Sequence, residues 1–254
     1  MDGRRVVVVG AGGLGSAVVR LLASQGARIV GTWWSSQEST VGLADDLPAQ
    51  AWAGAVQLDL TDDAQVEQVL GEGGLAAEML GGPVDTLVVT AGHRHAFGMF
   101  AESSPEDTAD IVSVELLGPM SAVRAVLPQM TAAGFGRIVC IGSDSGKAGT
   151  LGDAASSAAR AGINGFIRSI ARETARSGVT ANVVSPGPTD TPLLQGMLED
   201  EGLAGKVMAG TAKAVPMGRV GEPQEIARAV GYLVGPDSGY ITGQVLSVSG
   251  GLTF

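Results

Sequence analysis

A single cysteine, Cys140, is all that the 254-residue chain holds, so no internal disulfide can form and an oxidising compartment finds no support. Basic side chains are scarce too: 16 Lys and Arg stand against 26 Asp and Glu, a net charge of −10, and the longest cationic cluster is Arg4-Arg5. A phosphate backbone demands the opposite balance, which excludes nucleic acid as a partner. No stretch approaches the roughly 18 consecutive apolar residues of a membrane span, and the first apolar run, from Val6, lacks a cleavage-site pattern. A cytoplasmic protein without membrane contact is expected. Histidine is limited to His93 and His95, and no cluster of ligands at readable spacing accompanies them, so no metal site is expected. What the chain has in quantity is aliphatic. With 45% apolar residues, a mean hydropathy of +0.26 and 17% charged residues, it can bury a large core, and disorder is excluded.

Short β-branched runs alternate with longer helical patterns, the sequence form of βαβ units around a parallel sheet. Val6–Val9, Arg28–Gly31, Ala55–Leu58, Thr86–Thr90, Arg137–Ile141, Thr180–Val184 and Gln244–Val248 read as strands, apolar on both sides as in sheets covered on both faces. Helical spacing is clearest over Leu14–Ser24, Asp63–Leu70, Pro105–Thr131, Ala154–Arg176 and Pro223–Val234. No linker, charge block or repeat divides the chain, so residues 1–254 are expected to form one domain. The glycine-bearing segment 191–215 is expected to be a mobile lid.

After the first strand comes Gly10-Ala11-Gly12-Gly13-Leu14-Gly15, a GxGxxG opening a helix. Glycine permits the tight turn and the approach to a pyrophosphate, and the helix N-terminus supplies free N–H groups and a favourable dipole. Strand before and helix after favour nucleotide binding over a plain turn. The acid that would hold an adenosine ribose at the end of the second strand is missing from Gly31-Thr32-Trp33-Trp34-Ser35-Ser36. Thr32, Ser35 and Ser36 could instead accept a ribose phosphate, hence NADP(H). The two tryptophans either cap the sheet edge or stack on adenine, and the sequence leaves both open.

From Val6 to Leu252 the chain resembles the short-chain dehydrogenase/reductase family. The matching segments are Leu58-Asp59-Leu60-Thr61-Asp62, Thr90-Ala91-Gly92, Gly136-Arg137-Ile138-Val139, Ser185-Pro186-Gly187-Pro188-Thr189-Asp190-Thr191, Gly218-Arg219-Val220-Gly221-Glu222-Pro223 and Tyr240-Ile241-Thr242-Gly243-Gln244 through Gly250-Gly251. Within the family it looks most like the β-ketoacyl carrier-protein reductases. The resemblance implies a single Rossmann-type doubly wound sheet of about seven strands and a small or carrier-tethered carbonyl substrate. It further implies a homodimer or homotetramer, and cofactor contacts from Asp59, Leu60, Ala91, Gly92, Pro186, Gly187, Thr189 and Thr191.

The departures bear on chemistry. Ser143 matches the family's catalytic serine, but the tyrosine position thirteen residues on is Ser156, the lysine position is Arg160, and the asparagine position on the preceding helix is Glu115. The glycine turn is one residue shorter than the family's GxxxGxG. A reductase of this kind protonates the carbonyl oxygen through a phenol whose pKa an adjacent ammonium lowers. Serine is a far poorer acid, and arginine stays protonated, although it can still hold the cofactor ribose. The standard proton route is therefore disabled.

Other groups near the site by position are His93 and His95, suited to acid/base work or simply solvated; Asp144, a catalytic candidate or a turn residue; and Glu115, a catalytic acid or the partner of Arg160 in a buried bidentate pair. Cys140 belongs to the core. A triad of Ser143, His93 and Asp144 lacks a nucleophile elbow. The expected function is an NADP(H)-dependent oxidoreductase with an altered proton donor. The alternatives are an enzyme of this fold turned to cyclisation, dehydration or isomerisation, and a non-catalytic partner subunit. Only 3 of the 16 basic residues are lysine, a bias associated with GC-rich bacterial genomes and specialised metabolism.

Overall fold

The computed structural model describes residues 1–35, 37–40, 42–48, 50–92 and 96–254, with Ser39 described in its backbone only. Seven strands, β1 (Arg5–Val9), β2 (Arg28–Trp33), β3 (Trp52–Gln57), β4 (Thr86–Val89), β5 (Gly136–Ile141), β6 (Val179–Pro186) and β7 (Val245–Val248), form one all-parallel sheet in the order β3-β2-β1-β4-β5-β6-β7. The order reverses at β1, which separates β2 from β4 and opens a crevice beyond their carboxyl ends.

Aliphatic runs make these strands because both sheet faces are covered. Val7, Val9, Val30, Leu87, Ile138 and Val183 point to the face that packs on the helices Asp63–Leu70, Gly118–Ala132 and Ala154–Thr174. Val6, Val8, Ile29, Val88, Val139 and Val184 point to the face under the helices Leu14–Ser24 and Pro223–Val234. Each alternate residue thus enters a different core, which is why these strands do not alternate in polarity. The helix reading over 105–131 extends to Ala132 with an interruption: Ser113–Leu117 form a π turn between Pro105–Val112 and Gly118–Ala132. This helix includes an 18-residue window of mean hydropathy 1.4, long and apolar enough to cross a membrane, yet half of that window is buried inside the fold. Its apolarity answers to the sheet it covers.

Segment 191–215 contains two helices, Pro192–Leu198 and Leu203–Ala214, the first capped by Thr191 Oγ1 accepting from Leu194 N at 3.3 Å. A short helix at Leu75–Leu80, absent from the sequence reading, packs beneath β2 and β3.

Candidate active site

The glycine turn is built from backbone geometry. Gly10 adopts φ +83°, its N–H donates to Thr32 Oγ1 at 3.1 Å, and its carbonyl accepts from Thr90 Oγ1 at 2.5 Å. Ala11 N donates to Thr32 O at 2.9 Å, and Gly12 O accepts from Gly15 N at 2.8 Å. A Cβ on Gly15 would lie 2.0 Å from Gly10 O, so the helix can start this close to the strand only with glycine there. The Leu14–Ser24 helix begins with no side-chain cap, and the space beside Gly13 is open. Gly15 N and Ser16 N donate back to Gly12 O and Gly13 O, which leaves Leu14 N at the helix start for an anion such as a pyrophosphate.

Thr32 departs from its expected role. It is 2% exposed and its hydroxyl accepts from Gly10 N, so it braces the loop from beneath and does not face outward to a ribose phosphate. Strand periodicity explains this: Thr32 shares a face with Val30, toward the core. Of the other two candidates, Ser35 is exposed and Ser36 lies outside the described residues. Trp33 is half-buried with an indole N–H that is buried and unpartnered, while Trp34 is 57% exposed. No acid or cation occurs between Gly31 and Ser35, and Arg20, on the Leu14–Ser24 helix, pairs with Asp46 at 2.8 Å. Asp59 Oδ1 accepts from Thr61 N at 2.8 Å and Thr61 Oγ1 at 2.7 Å, folding the turn after β3, and Leu60 packs where a side chain on Gly118 would fall.

The side-chain cluster lies after β4 and β5. The π turn carries Glu115 into the interior, where it is 2% exposed. Its Oε2 accepts from Ser156 Oγ at 2.6 Å and Arg160 Nε at 3.1 Å, and its Oε1 accepts from Arg160 Nη2 at 2.8 Å. Arg160 Nη1 donates to Ile141 O at 2.9 Å, at the end of β5. Gly92, after Ala91 in the turn that follows β4, closes over this pair: a Cβ there would stand 2.7 Å from Arg160 Nη2. The tyrosine, lysine and asparagine positions of the resemblance are therefore one hydrogen-bonded unit, Ser156–Glu115–Arg160.

Ser143 follows two residues after Ile141. Its Oγ accepts from Ser145 N at 3.1 Å and from Ser145 Oγ at 2.9 Å, which leaves the Ser143 hydroxyl hydrogen uncommitted. Asp144 turns the other way, a correction to its place among the catalytic candidates. It is buried against the 249–254 segment, with Oδ1 accepting from Thr253 Oγ1 at 2.7 Å and Oδ2 unpartnered. Burial pushes its carboxyl above the ordinary value, partly offset by the Thr253 hydrogen bond and the Lys147 charge. Burial likewise pushes the Cys140 thiol up to about 12, consistent with an inert core residue. His93 and His95 lie outside the described residues. Among the described residues no group of three His, Cys, Asp or Glu could hold a metal ion.

Pro186 ends β6 and Gly187 N donates to Val248 O at 3.1 Å, while Thr189 Oγ1 donates to Gly187 O at 2.9 Å and fixes the turn leading to Thr191. Between the helices after Thr191 and the chain after β4 lies a cleft of about 500 Å³, walled by Phe97, Leu193, Met197 and Leu203, with Asp200 as the one charged residue among the described residues that line it. Sequence reasoning missed Thr90 and Ser145, whose hydroxyls hold the glycine turn and Ser143. Their only signal was position, inside Thr90-Ala91-Gly92 and two residues after Ser143.

A family profile described as enoyl-(acyl carrier protein) reductase matches residues 9–253. The 3-oxoacyl-[acyl-carrier-protein] reductase FabG of Escherichia coli is 36% identical over 252 residues, covering 99% of this chain and 98% of that protein. The 2,3-dihydroxy-2,3-dihydro-p-cumate dehydrogenase of Pseudomonas putida is 35% identical over 248 residues, covering 98% and 93%. The crystal structure of gox2181 superposes with a TM-score of 0.88 at 29% identity, covering 99% of this chain and 96% of that one. By matches that run the length of the chain, the protein belongs to the short-chain dehydrogenase/reductase family.

Proposed function

We propose that the chain is an oxidoreductase that binds a nicotinamide dinucleotide, NADP(H) ahead of NAD(H), and interconverts a carbonyl and an alcohol on a small or carrier-tethered substrate without the usual phenol. Likeness to reductases and a dehydrogenase along the whole chain supports the reaction class. The observation that carries the reading is the uncapped glycine turn after β1, on the same side of the sheet as the turn after β4 and the end of β5, where Gly92 and Ile141 O meet Arg160 of the Ser156–Glu115–Arg160 unit. Bound above that turn, the cofactor would supply or take up hydride. The glycine turn and Leu14 N, at the positive end of the Leu14–Ser24 helix, would hold its pyrophosphate. With Trp33 and Trp34 where a carboxylate would stand, the group that would repel a ribose phosphate is missing, and the engagement of Arg20 with Asp46 keeps the preference small.

Ser143 has the free hydroxyl hydrogen, so it would donate to the substrate oxygen. Ser156 has already given its hydrogen to Glu115 and offers only lone pairs, so it can take a proton from an alcohol while passing its own to Glu115 Oε2. Both Glu115 oxygens are already bound to Arg160, so the carboxylate must share its lone pairs and this route is slow. The apolar cleft at Phe97 and Met197 suits an uncharged substrate body, with the helices Pro192–Leu198 and Leu203–Ala214 as its moving cover. The reading includes one domain, a cytoplasmic homodimer or homotetramer, and a place in specialised metabolism.

A second reading rests on the same unit. Ser156, Glu115 and Arg160 satisfy one another, which is what a family member turned to non-redox chemistry, or to a non-catalytic partner subunit, would keep for stability alone. Cofactor fluorescence titration followed by turnover assays in both directions separates the two. Binding with slow turnover of β-ketoacyl thioesters or ketones is expected. Binding without turnover of any ketone or alcohol favours the second reading, and no binding of either cofactor overturns the first.

A further inference from the structure

We infer that a cleft on the far side of the Ser143 turn, formed by Lys147, Asn164 and Arg168, is a binding site for a small organic acid that carries a neutral hydrogen-bond donor next to its carboxylate. The cleft measures about 520 Å³, within the range of ligand sites, and is closed on its other sides by Gly243–Val245 and Phe254. It shares no lining residue with the cleft at Phe97 and Met197. The inference does not depend on the hydride-transfer reading.

Three atoms define what would bind. Asn164 is 7% exposed; its Nδ2 donates to Gly146 O at 3.4 Å, while its Oδ1 is buried with no partner. A buried acceptor left empty is a state that native interiors avoid, and Asn164 is among the residues that line the cleft, so a small turn of its amide would present this oxygen to a ligand. Arg168 stands four residues on along the same helix, so it shares that face, and it is exposed with no ion pair among the described residues. Lys147 Nζ donates to Val245 O at 3.1 Å and to Ser247 Oγ at 2.6 Å, which uses two of its three hydrogens and leaves one.

Two cations call for an anion, and a planar carboxylate suits the guanidinium fork. The Asn164 oxygen calls for a donor, and that donor must be neutral, because an ammonium would meet Lys147 and Arg168 at close range. A hydroxyl or amide N–H next to the carboxylate meets both demands. The opposite wall is held in place: Gly243 N donates to Ala181 O at 2.7 Å and Gln244 N to Asn182 Oδ1 at 3.0 Å, so the ligand meets a preformed surface. In a chain of net charge −10, the charged side chains among the described residues that line this cleft, Lys147 and Arg168, are both cationic.

The test is calorimetric titration of the intact protein, without nucleotide and at matched ionic strength, with L-malate and L-lactate against succinate and propionate. The hydroxy acids are expected to bind about tenfold tighter than their hydroxyl-free counterparts, the worth of one buried hydrogen bond. Malate should slow amide exchange at Ser145–Ala148 and Gly243–Val245. Arg168→Ala, at an exposed position, should leave the unfolding midpoint unchanged and weaken malate about tenfold. Asn164→Leu should erase the preference for hydroxy acids. No binding of malate at millimolar concentration, equal binding of succinate, or unchanged binding in Arg168→Ala would each overturn the assignment.

Discussion

The glycine turn after β1 and the side-chain cluster after β5 adjoin the same crevice but are built on different physics. The turn is nearly all backbone: its shape comes from Gly10 at φ +83°, from Gly15 where no Cβ fits, and from two threonine hydroxyls. A backbone device survives sequence change as long as glycine remains where side chains cannot go. The cluster consists of side chains, Ser156, Glu115 and Arg160, which bind one another. The difference teaches that a buried acid such as Glu115 depends on the side chains around it, here an arginine and a hydroxyl, because an unpaired carboxylate at 2% exposure would be untenable.

The strongest way to break that comparison is to open the pair. Arg160→Met should leave Glu115 buried without its counter-charge and cost about 3–5 kcal/mol of stability, and Glu115→Leu should cost a similar amount by stranding Arg160. Chemical denaturation of both single variants and the double variant checks this; losing both should cost clearly less than the sum, and additive losses would mean the two side chains are not coupled.

Converting the cluster back towards the family pattern probes the same idea by rate. Ser156→Tyr with Arg160→Lys is expected not to yield a competent carbonyl reductase, because Glu115 would sit beside the new ammonium and cancel the charge that should lower the phenol pKa. Misplacement of a reacting group costs about a hundredfold, so NADPH oxidation should improve by that order only when Glu115→Asn is added. High activity in the double variant would refute the argument.

Gly15→Ala tests the turn. Its Cβ would meet Gly10 O at 2.0 Å, forcing the helix away from the strand. A loss of about 1–3 kcal/mol in stability is expected, with cofactor affinity falling by about tenfold or more as the first amides move. An affinity unchanged by the substitution would show that nucleotide does not bind at this turn.

The smallest effect is expected at Asp144, outside both regions. Its carboxyl titrates above the ordinary value in the fold because burial penalises the charge. Below the unfolded-state pKa both states hold the proton; as pH rises from there through the folded pKa, the native state still holds a proton that the unfolded state has lost. Stability therefore declines across that window and stays lower above it. Asp144→Asn should flatten that decline and gain up to about 1 kcal/mol at neutral pH, read from unfolding midpoints against pH. A steeper decline in the variant would reverse the sign assigned to Asp144.

Much of this was determined by the sequence alone. The helices Leu14–Ser24, Asp63–Leu70 and Pro223–Val234 sit at the limits that apolar spacing and Gly or Pro punctuation predict, and the inner strands β1, β4, β5 and β6 follow from apolar runs, because burial on both faces leaves a signal that local reading can detect; the partly exposed edge strand β3 starts at Trp52, ahead of the Ala55–Leu58 run. The glycine turn was legible for the same reason, since a backbone constraint is written in consecutive residues. Only the tertiary structure decided which way polar side chains point. Thr32 turns inward because strand periodicity puts it on the Val30 face, and Asp144 turns away from Ser143 to meet Thr253, 109 positions along the chain. The π turn that carries Glu115 into the core is one extra residue in an otherwise helical pattern, invisible to a period of 3.6. Partners so far apart in sequence meet only when the sheet brings their strands together, so contact between Glu115 and Arg160, or between Lys147 and Ser247, is a property of packing and not of any local segment.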